Sequence, residues 1–251
     1  MLLNLLRKLH GFYSTLMFVV VVLLLFCPLL IAAPTLPLRR AIGRFSVRAW
    51  LALSFIPFRV RGLDHLPAEP TLVICNHASY LDGLLLTAAL PARFTFLVQH
   101  GAADWPYVGL AIRRMGCSFV NRSSPRVAAK ATKALIDRIK AGESFAIFPE
   151  GTFRAEPLML KFQSGAFVIA ARAAAKVAPV VIRGSRAVLG EGAKRVSWAA
   201  IEIECFPALE ASDDSRAAAD ALSAQARAVM LANSADGDGG DWTPPPFGTR
   251  S

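Results

Sequence analysis

The sequence predicts an α/β domain with a mixed, largely parallel sheet flanked by helices, preceded by an N-terminal membrane-associated helical motif. Three observations support this prediction. Residues 11–38 form a long apolar run without a charged side chain. After Pro67 and Pro70, short apolar runs alternate with helical patterns, which is typical of α/β folds. Over the whole chain, 54% of the 251 residues are hydrophobic, which is more than in an ordinary soluble protein.

The apolar run is long enough to cross a bilayer, which takes about 20 apolar residues. Its centre, between Phe18 and Phe26, contains only Val and Leu. A second stretch, residues 40–58, mixes arginines with large apolar side chains and is amphipathic. Three arrangements remain open at this stage. They are a spanning helix followed by an interfacial helix, a helical hairpin that dips into one leaflet, and a cleaved signal peptide.

The positive charge of the chain is concentrated near its beginning. The net charge is +10, and the first acidic residue is Asp64. Eight cations precede it: Arg7, Lys8, Arg39, Arg40, Arg44, Arg48, Arg59 and Arg61. The remainder of the chain is nearly neutral, with 20 basic and 18 acidic residues. Cations among Phe, Trp and Leu indicate an anionic membrane surface rather than nucleic acid, for which the sequence contains no binding motif.

The periodicity of the body predicts alternating strands and helices. Strands are predicted at 71–75, 94–98, 117–121, 145–148, 178–182 and 200–206. Helices are predicted at 83–90, 106–115, 126–140, 163–175 and 214–233. We therefore divide the chain into a membrane-associated segment (1–62), an α/β domain (63–233) and a flexible C-terminal tail (234–251). The four cysteines lack the spacing of a metal or redox site, so no metal and no cofactor are predicted.

The segment Asn76–Asp82 carries the clearest chemical signal. His77 lies five positions before Asp82, at the point where a predicted buried strand gives way to a helix. A histidine oriented by a carboxylate can remove a proton from an alcohol. The sequence contains no Gly-x-Ser-x-Gly elbow and no cysteine in a nucleophile motif. The pair is therefore predicted to activate a substrate hydroxyl rather than a nucleophile of the protein.

Three further clusters follow predicted strands, where α/β sheets collect ligands. Arg122 ends the segment 116–122 and could hold a phosphate group through bidentate hydrogen bonds. In the segment 148–154, Gly151 permits a tight turn whose free amides can bind an anion, and Glu150 could accept a hydrogen bond from a substrate hydroxyl or organise the arginines. In the segment 161–167, Lys161 is a plausible phosphate contact.

In this order, the clusters resemble the four sequence blocks of the glycerolipid acyltransferase family, which includes 1-acylglycerol-3-phosphate acyltransferases. The resemblance runs from Asn76 to about Arg186. It implies transfer of an acyl group from acyl-CoA or acyl carrier protein to a lysophospholipid, on a membrane and with the active site facing the cytoplasm. It implies that His77 is the general base and Asp82 its orienting carboxylate. The residues with an implied substrate-binding role are Asn76, Arg122, Glu150, Gly151, Thr152, Arg154 and Lys161.

Two departures from the family pattern concern the head group of the acceptor. The family often has Glu-Gly-Thr-Arg, whereas Phe153 here separates Thr152 from Arg154. The family commonly has Phe-Lys-x-Gly, whereas the lysine here is displaced to Lys161. The favoured reaction converts 1-acylglycerol-3-phosphate to phosphatidic acid. The alternatives are acylation of lyso-ornithine lipid or another lysolipid, a catalytically silent membrane-binding homologue, and a lipid hydrolase.

Overall fold

The computed structural model describes residues 2–99, 101, 104–120 and 125–240. In these ranges a seven-stranded sheet has the order β1-β8-β7-β2-β5-β3-β4, and β6 and β9 form a separate pair. Within the large sheet, all neighbours are parallel except β7 and β8. This confirms the predicted mixed, largely parallel sheet. The strands are β1 Phe58–Arg61, β2 Thr71–Cys75, β3 Phe94–Gln99, β4 Ser118–Val120, β5 Ser144–Ile147, β6 Leu158–Met159, β7 Lys176–Arg183, β8 Ile201–Cys205 and β9 Gly237–Asp238.

The helices begin with a continuous apolar rod in which α1 and α2 are joined by a π-helical stretch, Phe18–Phe26. One part of this rod, Asn4–Ala32, is long and apolar enough to cross a membrane. The α-helices are α1 Leu2–Met17, α2 Cys27–Ala32, α3 Leu36–Leu53, α4 Asp82–Ala89, α5 Val108–Arg114, α6 Pro125–Lys140, α7 Gly165–Ala173, α8 Ser185–Leu189 and α9 Arg216–Asn233. The sequence analysis missed β1, β6, β9 and α8, which are all five residues or shorter.

The two faces of the sheet bury separate apolar clusters. On one face, alternate residues of the central strands pack with α6, α7 and α9. On the other face, the remaining residues of the same strands, whose side chains point the opposite way, pack with α3, α4 and the π-helical stretch. Trp50 of α3 is fully buried on this side, and its ring makes an edge contact with Phe18 at 5.2 Å between centroids. The N-terminal helices therefore supply half of the cover of the sheet.

The rod and α3 form an antiparallel hairpin with polar contacts along its length. The indole nitrogen of Trp50 donates to the carbonyl oxygen of Ser14 at 3.0 Å. The hydroxyl of Tyr13 donates to the carbonyl of Leu53 at 3.0 Å. A hairpin of this kind matches one of the three arrangements considered from the sequence. Its depth in a bilayer remains a prediction.

The arginines of α3 donate hydrogen bonds to backbone carbonyl groups of the α/β domain, while their contact with a membrane surface stays a prediction. Arg40 donates to the carbonyls of Met115 and Ala92, at 3.1 and 3.0 Å. Arg48 donates to the carbonyl of Ala88 at 2.8 Å. These carbonyls lie at or just beyond the C-terminal ends of α4 and α5, where a helix leaves carbonyl groups unpaired and favours positive charge. The cations thus attach the hairpin to the domain.

Parts of the two segments that flank the predicted α/β domain (63–233) also pair with strands of that domain. Strand β1 lies within the segment 1–62 and pairs with β8. At the other end, β9 pairs with β6, and Asp236 forms an ion pair with Arg186 at 3.1 Å. The beginning of the predicted flexible tail is therefore fixed to the domain. Residues 241–251 lie outside the described residues.

The variant Arg40→Ala tests the attachment of the hairpin. It removes the charged donor to two carbonyl groups, so we expect the free energy of unfolding to fall by about 2 kcal/mol. Denaturation of the purified protein in detergent measures this change. Arg59→Ala is the matched control, because Arg59 is an exposed cation of β1. Equal stability of the two variants would contradict the proposed role of Arg40.

Candidate active site

Three loops meet at one edge of the sheet because β7, β2 and β5 are parallel neighbours. Strand β2 ends at Cys75, immediately before Asn76 and His77. Strand β5 ends at Ile147, before the turn that contains Glu150. Strand β7 ends at Arg183 and leads into α8. The carboxyl ends of adjacent parallel strands therefore bring the predicted motifs together, as expected for a ligand site in an α/β sheet.

A single oxygen of Asp82 holds the loop that carries His77. Oδ2 of Asp82 accepts hydrogen bonds from Nδ1 of His77 at 2.8 Å and from the backbone amides of Ala78 and Ser79 at 2.7 and 2.8 Å. Asp82 is fully buried in the first turn of α4, where the helix dipole favours a carboxylate. The predicted pairing of His77 and Asp82 is thus present in the structure.

The pairing fixes which ring nitrogen of His77 is left without a partner on Asp82. A carboxylate oxygen can only accept, so Nδ1 carries the proton and Nε2 of the neutral ring keeps its lone pair. The imidazole stacks on Phe148, with 4.3 Å between the ring centroids, and also touches Phe153 at 4.5 Å. Tyr80 meets Phe153 at 4.9 Å. Aromatic rings therefore enclose the histidine and limit its rotation.

Glu150 links the histidine loop to the loop after β6. One carboxyl oxygen accepts from the backbone amide of His77 at 2.8 Å, and the other accepts from the amide of Leu160 at 2.6 Å. The residue is only 1% exposed. Burial raises the pKa of Glu150 to about 8, although the two amide donors act in the opposite direction. Glu150 thus positions the histidine loop through its two amide contacts, and its predicted substrate-binding role stays a prediction.

Asn76 is buried and has a similar positioning role. Its side-chain nitrogen donates to the carbonyl of Ile182 at 3.0 Å, and its side-chain oxygen accepts from the amide of the same residue at 2.8 Å. The side chain therefore joins the end of β2 to β7 in the manner of a backbone pair. Its predicted contact with substrate stays a prediction.

A large cavity of about 1360 Å³ opens beside His77. Its wall is mostly apolar and is built from the π-helical stretch, α3, α4, α5 and the site loops. Residues on the wall that belong to the hairpin include Phe18, Val22, Phe26, Leu30 and Val47. The edge of the sheet that carries His77 and the N-terminal hairpin therefore line one apolar cavity.

Some of the predicted binding residues line this cavity and others do not. In the described part of the chain, its wall includes His77 and Gly151 but not Thr152, Arg154 or Lys161. Gly151 has φ +74°, a conformation that favours glycine in the turn after β5. Arg154 forms an ion pair with Glu156 at 3.4 Å. Arg122 lies outside the described residues, so its role stays a prediction, as do the binding roles of Thr152, Arg154 and Lys161.

Several residues at the site were missed by the sequence analysis. Phe153, which departs from the family pattern, packs directly on the ring of His77. The carbonyl of Leu189 accepts from the amide of Tyr80 at 3.2 Å and holds the far side of the histidine loop. Lys194 and Arg195 lie on the wall of the cavity. The pattern that could have revealed Lys194 and Arg195 in the sequence is an adjacent pair of cations followed by Trp198, which is typical of membrane interfaces.

Comparison with known families identifies the class of protein. Residues 57–183 match the family model described as Acyltransferase. Because the match covers half of the chain and includes the His77 and Glu150 segments, the chain belongs to the acyltransferase family. A crystal structure of the 1-acyl-sn-glycerophosphate acyltransferase PlsC from Thermotoga maritima superposes with a TM-score of 0.67 and 19% sequence identity. The superposition covers 89% of this chain and 97% of that one. At this identity, the superposition shows a shared fold.

Two curated relatives illustrate the range of acceptors in similar sequences. The chloroplastic 1-acyl-sn-glycerol-3-phosphate acyltransferase LPAT1 of Arabidopsis thaliana is 30% identical over 165 residues, which are 64% of this chain and 46% of the relative. A lyso-ornithine lipid O-acyltransferase of Rhodobacter capsulatus is 35% identical over 134 residues, 52% of this chain and 46% of the relative. The chain spans about half the length of the curated relatives it matches.

The variant Glu150→Gln tests the buried carboxyl group. The pKa of Glu150 is about 8 in the folded protein, compared with 4.5 for an unperturbed glutamate such as that of the unfolded chain. Between these two pH values, the folded protein therefore binds one proton more than the unfolded chain does. The stability of the wild type relative to Glu150→Gln should therefore be greatest below pH 4.5 and should decline as the pH rises from there to about 8. Denaturant unfolding at pH 5 and pH 8 measures this difference. A difference that is the same at both pH values would refute the assignment.

Proposed function

We propose that this protein is a membrane-associated O-acyltransferase that moves an acyl group from an acyl thioester to the free hydroxyl of a lysophospholipid. The observation that carries the proposal is the position of His77. Its ring is oriented by Asp82 at 2.8 Å and lies on the wall of an apolar cavity of about 1360 Å³. A base at the wall of an apolar chamber suits a reaction between a hydroxyl group and a long acyl chain.

In the proposed reaction, Nε2 of His77 takes the proton from the acceptor hydroxyl. The acceptor oxygen attacks the carbonyl carbon of the thioester and forms the new C–O bond. The C–S bond then breaks, and the thiolate leaves with the proton that His77 returns. Asp82 stays ionised and stabilises the imidazolium that exists between these two transfers. General-base assistance of this kind contributes roughly 10²–10⁴-fold, and the remainder comes from positioning of the two substrates.

The apolar cavity is proposed to hold the acyl chain. Its volume exceeds the roughly 300–1,000 Å³ of ordinary ligand pockets, so a long hydrocarbon chain fits within it. The wall also includes Ala111, Ile112 and Met115, which belong to α5 or follow it directly. A chain that extends from the thioester at His77 toward α5 would remove its methylene groups from water, which contributes about 0.8 kcal/mol for each one buried.

The remaining assignments follow from the same proposal. The favoured acceptor is 1-acylglycerol-3-phosphate, with phosphatidic acid as product. The donor is acyl-CoA or acyl carrier protein, which would arrive from the cytoplasm while the hairpin holds the site at the membrane. In the acceptor site we place Gly151 and Thr152 at the turn, with Arg122, Arg154 and Lys161 as candidate phosphate contacts.

A second candidate acceptor is lyso-ornithine lipid. It is supported by the 35% identity to the Rhodobacter capsulatus protein that carries this name. The displaced Lys161 also leaves the head group open, because the lysine is absent from its usual position. The two acceptors require the same chemistry at His77 and differ only in what lies around the head group.

The variants His77→Ala and Asp82→Asn test the mechanism. Removal of the base should lower kcat by at least about 100-fold. Asp82→Asn should also lower kcat because it weakens the orientation of the ring. Purified protein in detergent is supplied with a labelled acyl-CoA or acyl carrier protein and a panel of lysolipids that includes lyso-ornithine lipid.

His65→Gln serves as the control. Nδ1 of His65 is 2.9 Å from the carbonyl of Cys205, and a glutamine can retain this hydrogen bond. Full transfer by a folded His77→Ala protein would refute the mechanism. Release of free fatty acid without acyl transfer would identify a hydrolase. An inactive wild type, folded and membrane-bound, would identify a catalytically silent homologue.

The variant Ala111→Trp tests the position of the acyl chain. Ala111 is 8% exposed and lies on the cavity wall, so the larger side chain should fill the end of the chamber. We expect the preferred donor to become shorter, with kcat/KM for long acyl chains lowered by about tenfold or more. Ala221→Trp is the matched control because Ala221 is exposed on α9. An unchanged chain-length profile in the folded Ala111→Trp protein would place the acyl chain elsewhere.

A further inference from the structure

The loop between α8 and β8 brings two cations to the catalytic cavity. Lys194 and Arg195 are exposed and line the same cavity as His77. Among the described residues, neither side chain has a hydrogen bond or an ion pair with another residue. The pair is therefore available to a ligand that enters the chamber. By contrast, Arg154 pairs with Glu156, and neither it nor Lys161 reaches the wall.

Backbone contacts connect this loop to the catalytic histidine. At its start, the carbonyl of Leu189 accepts hydrogen bonds from the amide of Tyr80 at 3.2 Å and from the hydroxyl of Ser79 at 2.8 Å. After the cation pair, the amide of Ser197 returns to the carbonyl of Val188 at 2.8 Å. The loop is therefore closed on itself and anchored to the segment that follows His77.

The other side of the loop contacts the apolar N-terminal helix. The amide of Val196 donates to the hydroxyl of Thr15 at 3.3 Å. A side chain at Gly11 would lie 2.6 Å from the carbonyl oxygen of Val196, so glycine is needed for this close approach. Trp198 is 56% exposed and donates to the carbonyl of Phe55 at 2.7 Å. An exposed tryptophan beside cations and an apolar helix marks the level of lipid head groups.

We propose that Lys194 and Arg195 supply additional contacts to the phosphate group of the lysophospholipid acceptor, beside the candidates Arg122, Arg154 and Lys161. A phosphate monoester carries about −1.5 to −2 charges at neutral pH, which two cations can neutralise. Arginine supplies a planar pair of donors and lysine a compact charge. The position between the apolar helix and His77 favours a phosphate that belongs to a lipid over one that belongs to a soluble donor. This inference rests on the proposed acyl transfer.

The test compares kinetic constants for the double variant Lys194→Ala/Arg195→Ala in detergent micelles. Loss of the two charge-assisted contacts should raise KM for 1-acylglycerol-3-phosphate by at least about tenfold. The KM for acyl-CoA and the transfer to monoacylglycerol, which has no phosphate, should stay at the wild-type values. Lys140→Ala is the control, because Lys140 is an exposed cation on α6 that does not line the cavity.

The phosphate bound by Lys194 and Arg195 could instead belong to the acyl-CoA donor or to the lipids of the bilayer, and each source predicts a different kinetic result. A rise in KM for acyl-CoA alone would assign the pair to the donor and overturn the proposal. Loss of binding to phosphatidylcholine vesicles that contain phosphatidylglycerol, with KM for the micellar acceptor unchanged, would assign the pair to the bilayer and also overturn it. Unchanged kinetic constants would show that the pair has no role in binding the acceptor.

Direct binding separates this inference from the proposed function. Calorimetry with micellar 1-acylglycerol-3-phosphate requires no turnover. If the wild type transfers no acyl group but binds this lipid, and the double variant binds it at least about tenfold more weakly, the proposed function fails and the phosphate site stands. If the wild type transfers acyl groups to 1-acylglycerol-3-phosphate and the double variant does so with equal KM, only the phosphate site fails.

Discussion

The site depends on one buried oxygen, Oδ2 of Asp82, and on the three N–H groups that point at it. Two of these groups belong to the backbone of Ala78 and Ser79, and the third belongs to the ring of His77. A buried carboxylate is costly unless it is hydrogen-bonded, and the three donors to this oxygen offset part of that cost while they hold the loop in place. Because Asp82 also begins α4, the rotation of the histidine ring is tied to the position of the helix. Orientation of the base is therefore a property of the fold.

The N-terminal hairpin has two physical roles, which belong to different sets of side chains. Its arginines bind carbonyl groups at the ends of α4 and α5, while its apolar residues cover the sheet and form one wall of the cavity. The hairpin is thus part of the core of the domain. A chamber that is built partly from a helix able to cross a membrane suits substrates that are themselves lipids.

Buried polar groups at the strand ends hold the loops in register. Asn76 reproduces a pair of backbone hydrogen bonds to Ile182, and Glu150 accepts from His77 and Leu160. Glu150 is the more costly of the two, because burial raises its pKa to about 8 and opposes its ionised form. Burial of the ionised carboxyl group of Glu150 lowers the stability of the fold, while its hydrogen bond holds the backbone of the loop that carries His77. Such a local loss of stability recurs at functional sites.

The sequence alone determined the features that depend on local periodicity and spacing. Strand β2 lies at the predicted residues 71–75, and His77 meets Asp82 because five residues are enough to turn from a strand into a helix. Tertiary structure decided the remainder. The contacts of Arg40 with Met115 and of Glu150 with His77 join residues that are 75 and 73 positions apart along the chain. Whether Lys194 reaches the cavity likewise depends on how distant elements pack. Periodicity reports which face of an element is apolar, but it carries no information about which distant element will cover that face.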